Sequence, residues 1–166
     1  MEKIIKLKNN DKQVLKFPIY TEDGKNTGKY LKFDMGDIGL ILKLNDAFKK
    51  HQQNLRYIRD QYVIINKRED KKGKYILSYN EEEKAKVLNE FYKKDMEAIN
   101  CFLGKNGCET LLEAMDREPY WDMFEDILGD DGMIAPILPE LKLGLDDVAS
   151  KVKEKYGKKE EENILE

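Results

Sequence analysis

The stretch that most constrains the fold is 80–104, NEEEKAKVLNEFYKKDMEAINCFLG. Apolar residues recur there at Ala85, Leu88, Phe91, Tyr92, Met96, Ile99, Phe102 and Leu103. Intervals of three and four put them on one side of a helix, with Glu, Lys and Asp mostly opposite. Asn80 and Glu83 have the spacing of a capping box, in which each side chain satisfies a free N–H of the other residue. Gly104 can take the left-handed backbone that ends a helix. Such a helix gains most of its stability by packing its apolar face, so it is expected to be the central element of the domain.

The chain before it divides into a β region and a second helix. Ile5 and Leu7, then Leu15, Phe17 and Ile19, then Leu31 and Phe33 alternate with polar residues, many of them lysines. This period of two predicts a small antiparallel meander within 1–34, with one apolar face. Asn9-Asn10-Asp11 and the turn-forming residues of 21–28 would connect the strands. Pro18 lacks a ladder donor, which makes its strand an edge or bulged there. Asp34 can cap the next helix, and Asp37 suits its first turn. A stripe of Ile38, Ile41, Leu44, Phe48, Leu55, Ile58 and Tyr62, interrupted at Gln52, predicts a helix over 35–62, roughly 40 Å long.

Residues 62–79 admit two readings. The β-branched run at Tyr62-Val63-Ile64-Ile65 and the apolar Tyr75-Ile76-Leu77 flank a basic segment and favour a second hairpin near 62–78. The long helix before them favours a frayed end and a loop. The hairpin is the first expectation.

Beyond 104 the elements shorten. A brief helix is expected over 108–115, then one with Pro119 in its first turn and a stripe of Trp121, Phe124, Ile127 and Leu128, stopped by Gly129. The segment 133–139 is apolar but broken by Pro136 and Pro139. A last helix should begin near Asp146 or slightly before, with Leu145, Val148, Val152 and Tyr156 on one face and Gly157 as its stop. The charged tail 158–166 is expected to be loose. The fold class is therefore α+β, an N-terminal meander on a mainly helical body, forming one domain over 1–157.

Composition excludes several function classes. Thirty Lys and Arg against 33 Asp and Glu give a net charge of −3, which argues against a general nucleic-acid binder. No apolar run reaches the roughly 20 residues that span a bilayer, and no secretory h-region follows Met1. Two cysteines, Cys101 and Cys108, fit free thiols in a reducing cytoplasm. Their spacing is neither a CxxC redox pair nor half of a zinc site. His51 has no Cys, His or acidic neighbour at ligand spacing, so a structural role is expected for it. The segment 126–132 lacks the alternating ligands and distal Glu of a calcium loop. No phosphate-binding loop, dinucleotide fingerprint, serine elbow or zincin motif occurs. A carboxylate enzyme built on Asp122, Glu125 and Asp126 lacks an oriented partner residue. No cofactor or metal is expected, and the chain is expected not to be an enzyme.

One charge asymmetry stands out. Residues 109–131 hold nine acids against Arg117 alone, whereas residues 1–34 hold eight lysines and five acids. A solvated helix surface accounts for the acids. The functional alternative is electrostatic complementarity, either head-to-tail between copies or toward a basic amphipathic partner. Trp121 and Phe124 would anchor such a contact if they are not core.

The order of these segments resembles a known family. A β segment ending in Lys32-Phe33-Asp34 leads through Asp37-Ile38 into a long helix, and a later helix ends in Asn100-Cys101-Phe102-Leu103-Gly104. A short helix, the acidic-aromatic Trp121-Asp122-Met123-Phe124 helix and a lysine-rich terminal helix follow. Over 28–157 this resembles the tail assembly chaperones and related tail accessory proteins of long-tailed bacteriophages and prophages. The resemblance implies a non-enzymatic protein of the bacterial host cytoplasm, self-associating and binding the long, helical tape measure protein during tail assembly. Phe91, Tyr92, Met96, Ile99 and Phe102, then Trp121 and Phe124, are the residues to test for partner contact, with core packing the first reading for each. A permanent virion or tail-completion component, or a small phage protein that binds a host factor, are the alternatives.

Overall fold

The computed structural model describes residues 3–6, 14–34 and 39–164. It is α+β, an N-terminal antiparallel hairpin followed by a mainly helical body. Strands β1 (Val14–Tyr20) and β2 (Asn26–Asp34) pair Leu15 with Phe33 and Phe17 with Leu31, which gathers the apolar side chains on one face. Lys16 and Lys32 pair on the other face, and both ammonium groups approach the Tyr30 ring. The register breaks between Pro18 and Tyr20, where the proline cannot donate. Among the described residues the sheet has two strands where three were expected. Residues 3–6 form no strand and Ile5 is exposed, while Leu7 and Asn9-Asn10-Asp11 lie outside the described residues. The hairpin's inner face is covered instead by α2 and α3, with Phe33 against Phe102 at 5.3 Å between ring centroids.

Helix α1 (Leu40–Asn66) starts after Gly39 without a side-chain cap. The expected cap, Asp34, is the last residue of β2; Asp37 and Ile38 lie outside the described residues. The helix also runs past residue 62 and absorbs the β-branched run assigned to a second hairpin. Ile58 and Ile65, seven residues apart, pack with Val87 and Phe91 of α2, so the helical period prevails over β propensity. No second hairpin forms; residues 67–78 are a loop. The stripe differs in its middle. Gln52 is exposed, and the row is completed by the buried Ala47, His51 and Asn54.

Helix α2 (Tyr79–Leu103) is the central element, but its cap is Ser78 rather than Asn80. Glu81 N–H donates to Ser78 Oγ at 3.2 Å, and Ser78 N–H donates to Glu81 Oε2 at 2.8 Å. The Asn80 amide donates instead to the Ile65 and Arg68 carbonyls and so seals the end of α1. The buried face carries Val87, Phe91, Asp95, Ala98, Ile99 and Phe102, whereas Ala85, expected on that face, is exposed. Gly104 ends the helix at φ 84° and ψ −178°, a region essentially closed to other residues.

Helices α3 (Gly107–Ala114) and α4 (Met123–Leu128) fall near their expected places, but Pro119 precedes α4 instead of opening it. A 3-10 turn (Ala135–Ile137) leads into α5 (Leu138–Ile164). Pro139 sits in the first turn of α5, where a missing N–H is harmless, so this helix begins well before Asp146. It also continues through Gly157 and most of the tail expected to be loose. Leu141 is fully buried against the main core, whereas Leu143, Val152 and Tyr156 are exposed.

Candidate functional site

Two features connect the fold to a surface that could take a partner. The first is a polar lock between the long helices. Asp95 is completely buried on α2, and both of its carboxylate oxygens lie 2.9 Å from His51 Nδ1 on α1. A carboxylate only accepts, so Nδ1 carries the proton and donates. Asn54, one turn further along α1, donates its amide to Asp95 Oδ1 at 3.0 Å. The His51 ring then stacks in parallel on Phe124, with centroids 3.9 Å apart, and Phe48 meets the same phenylalanine edge-on. A buried carboxylate whose neighbours are all oriented in this way fixes the register of α1, α2 and α4 together.

The second feature lies beyond α4. The hairpin, α3 and the segment after α4 enclose a groove of about 1120 Å³. Its floor is apolar, from Phe17, Ile19 and Leu31 of the hairpin, Met115 after α3, and Ile134 and Ile137. Its rim is acidic. Glu22 and Asp23 come from the hairpin turn, Glu125 and Asp126 from α4, and Asp130 and Asp131 from the turn that follows. Among the described residues no Lys, Arg or His lines it. The turn is held back on α4 by Met133 N–H donating to the Asp126 carbonyl at 2.8 Å and Ile134 N–H donating to the Ile127 carbonyl at 3.3 Å. Asp130 and Asp131 therefore face water while Ile134 is buried. On the hairpin side, Thr21 Oγ1 hydrogen-bonds Asp23 and orders the turn.

Several acids of the 109–131 stretch also serve the fold. Lys29 of β2 pairs with Glu113 of α3 at 2.7 Å and ties hairpin to helix. Asn100 donates to the Glu109 carboxylate and accepts the Cys108 N–H at 2.7 Å, which joins the end of α2 to the start of α3. Tyr120 donates to Asp126 Oδ2 at 2.8 Å while the Arg117 guanidinium lies 3.5 Å from its ring centroid. Burial, then the bond to Asp126, pushes the Tyr120 hydroxyl up to about 12. Asp116, Glu118 and Met96 border a smaller hollow of about 420 Å³ on another side of α3.

The aromatic and aliphatic residues singled out from the sequence separate by depth. Phe91 and Ile99 are fully buried, Phe102 and Phe124 nearly so, and all four pack in the core. Tyr92 and Met96 are half-buried. Trp121 is 49% exposed and rests on Phe91 at 5.1 Å between centroids. None of the seven lines the groove. Glu22 and Asp23, which do, carried no signal beyond their place in a turn. Cys101 and Cys108 are free thiols, and burial raises the Cys108 thiol to about 12. No group of three or more His, Cys, Asp or Glu side chains among the described residues is arranged to hold a metal ion. Nor is any described helix long and apolar enough to cross a membrane. Comparison with protein-family models, curated proteins and solved structures yields no match.

Proposed function

We propose that this chain is a non-enzymatic tail assembly chaperone of a long-tailed phage or prophage. In this role it holds segments of the tape measure protein in the host cytoplasm until tube subunits replace it. The observation that carries the reading is the groove, an apolar floor inside a rim of six carboxylates with no basic side chain among the described residues that line it. A cleft of that kind selects an amphipathic helix, apolar on the face that meets Phe17, Ile19 and Ile137 and basic along its flanks. Low-dielectric walls lined by one sign of charge also speed the encounter with a basic segment and reject acidic ones. A client with many such segments, bound by several copies, would be covered along its length by modest individual contacts. The order of elements along 28–157 supplies the family reading; the groove supplies a chemical reason for a helical client.

The test is co-expression of the tagged chain with the longest helical open reading frame of its own operon. Recovery of a soluble complex with several copies per client, lost when Asp130→Lys and Asp131→Lys are combined, is the expected result. An insoluble client beside an unaccompanied chain overturns the chaperone reading. Stoichiometric presence of the chain in purified virions would assign it instead to a permanent tail component.

A further inference from the structure

The loop at the far end of the long helices places apolar side chains in water. In residues 67–78, Tyr75 is 84% exposed and Ile76 96% exposed, with Leu77 half-exposed beside them. Val63 and Ile64, on the last turn of α1 from which the loop departs, are also half-exposed. Five bases, Lys67, Arg68, Lys71, Lys72 and Lys74, share the loop with Glu69 and Asp70. The loop is nevertheless held from within. Asp70 Oδ1 accepts the N–H groups of Lys71 at 2.8 Å and Asn80 at 3.0 Å, and Tyr79 N–H donates to the Lys71 carbonyl at 2.9 Å. The chain folds so closely on itself that a Cβ at Gly73 would lie 1.7 Å from the Leu77 carbonyl oxygen. A segment ordered by its own polar contacts, with Tyr75 and Ile76 left bare, meets little further entropy cost when it docks.

The matching surface is on the same chain. The groove offers an apolar floor where the loop offers Tyr75, Ile76 and Leu77, and an acidic rim where the loop is basic. One molecule cannot satisfy both. Phe48, in the first third of α1, packs on Phe124 of α4 beside the groove-lining Glu125 and Asp126, and the rest of α1 carries the chain about 25 Å from there to the loop. We propose that the 67–78 loop of one copy docks into the acidic-rimmed groove of a second copy. Tyr75 and Ile76 seat on the floor, and Lys71, Lys72 and Lys74 face Glu125, Asp130 and Asp131. The contact is heterologous, so it propagates head to tail until a ring closes or the chain of copies ends. If the groove also holds the client, which rests on the chaperone reading, client and neighbour exclude one another and client binding takes such assemblies apart.

The test uses the full chain alone, so the client reading neither helps nor harms it. Sedimentation velocity across a concentration series should show assemblies that weaken at high salt. The loop variant Tyr75→Ser/Ile76→Asp and the groove variant Asp130→Lys/Asp131→Lys alter exposed residues, and circular dichroism would check that both fold. Each should be monomeric alone, with association weakened about tenfold or more. Mixed, they should form a one-to-one dimer and nothing larger, because the pair retains one intact loop and one intact groove. A wild type that stays monomeric overturns the proposal. So does variant assembly equal to the wild type, or a mixture that fails to pair. Sedimentation of the monomer with phosphatidylserine vesicles, abolished by Ile76→Asp, would reassign the loop to an anionic membrane surface and overturn it as well.

Discussion

Asp95→Ala should be among the most damaging single substitutions in this chain. The carboxylate is fully buried and accepts from His51 at 2.9 Å and Asn54 at 3.0 Å. Hydrogen bonds to a charged acceptor contribute about 1.5–3 kcal/mol each, and truncation also leaves two buried donors without partners. Two such bonds together put the loss at about 3–5 kcal/mol. With a urea dependence of about 2 kcal/mol per molar, the unfolding midpoint falls by about 2 M. Trp121, the only tryptophan, stacks on Phe91 and reports docking of α4 by its fluorescence, while circular dichroism follows the helices. Because Phe124 lies flat on His51, the tryptophan signal should be lost at lower urea than the helical signal in this variant. A loss below about 1 kcal/mol would refute the reasoning. A second arm isolates the unpaired donors: His51→Leu/Asn54→Leu/Asp95→Leu has none, and should recover most of the stability. If the triple variant is as unstable as Asp95→Ala, the cost lies in packing and the hydrogen-bond account is wrong.

Further outcomes follow from the caps and the titrating groups. Ser78→Ala removes the acceptor for Glu81 N–H and should cost about 1 kcal/mol in urea unfolding, whereas Glu83→Ala should cost far less. Gly104→Ala forces a side chain into a backbone at φ 84°, and should cost about 1–3 kcal/mol by the same measurement. Tyr120 is raised from 10.0 to about 12 and Cys108 from 9.0 to about 12, chiefly by burial in both cases. Groups raised in the folded state add stability that is complete below their ordinary values and lost as pH climbs toward the raised ones. Urea midpoints should therefore decline between pH 9.0 and about 12, with Tyr120→Phe flattening the upper half of the decline. At about pH 8 iodoacetamide should label Cys101 long before Cys108, whose thiolate is scarce and whose side chain is buried; comparable rates in the folded protein would contradict that burial.

Local signals were legible where one period governed a whole element. The alternation around Phe17 and Leu31 marked the hairpin, and the three- and four-residue intervals through Phe91, Ile99 and Phe102 marked α2. The errors arose where two local preferences competed. Val63, Ile64 and Ile65 favour a strand by type, but Ile65 reaches Val87 and Phe91 only if α1 continues, and that burial outweighs propensity. Asn80 and Ser78 both stand three residues before a glutamate; Ser78 Oγ takes the capping bond, while the Asn80 side chain turns to the end of α1 and donates to the Ile65 and Arg68 carbonyls. His51 looked isolated because its partner lies 44 residues away on another helix. Polar residues on an apolar stripe read as interruptions until the facing helix supplies the complement.

The groove was illegible for a related reason, and its acids show how a charge pattern can mislead. A run of nine acids suggests one negative surface, yet folding sends them in different directions. Glu109 and Glu113 bond to Asn100 and Lys29 in the service of the fold, and Asp116 and Glu118 border another hollow. The four left on the groove, Glu125, Asp126, Asp130 and Asp131, are joined there by Glu22 and Asp23, from far earlier in the chain and inside its net basic region. Lys16 of β1 and Lys32 of β2 point the opposite way, toward Tyr30 on the outer face. An electrostatic contrast between the first 34 residues and residues 109–131 therefore does not survive as a contrast between two surfaces. The contrast that does survive runs between the two ends of α1, basic and bare at Lys72 and Ile76, acidic and hollow at Asp130 and Ile137. Poles set apart by a rigid helix cannot meet within one molecule, which is why the proposed occupant of the groove is the loop of a second copy.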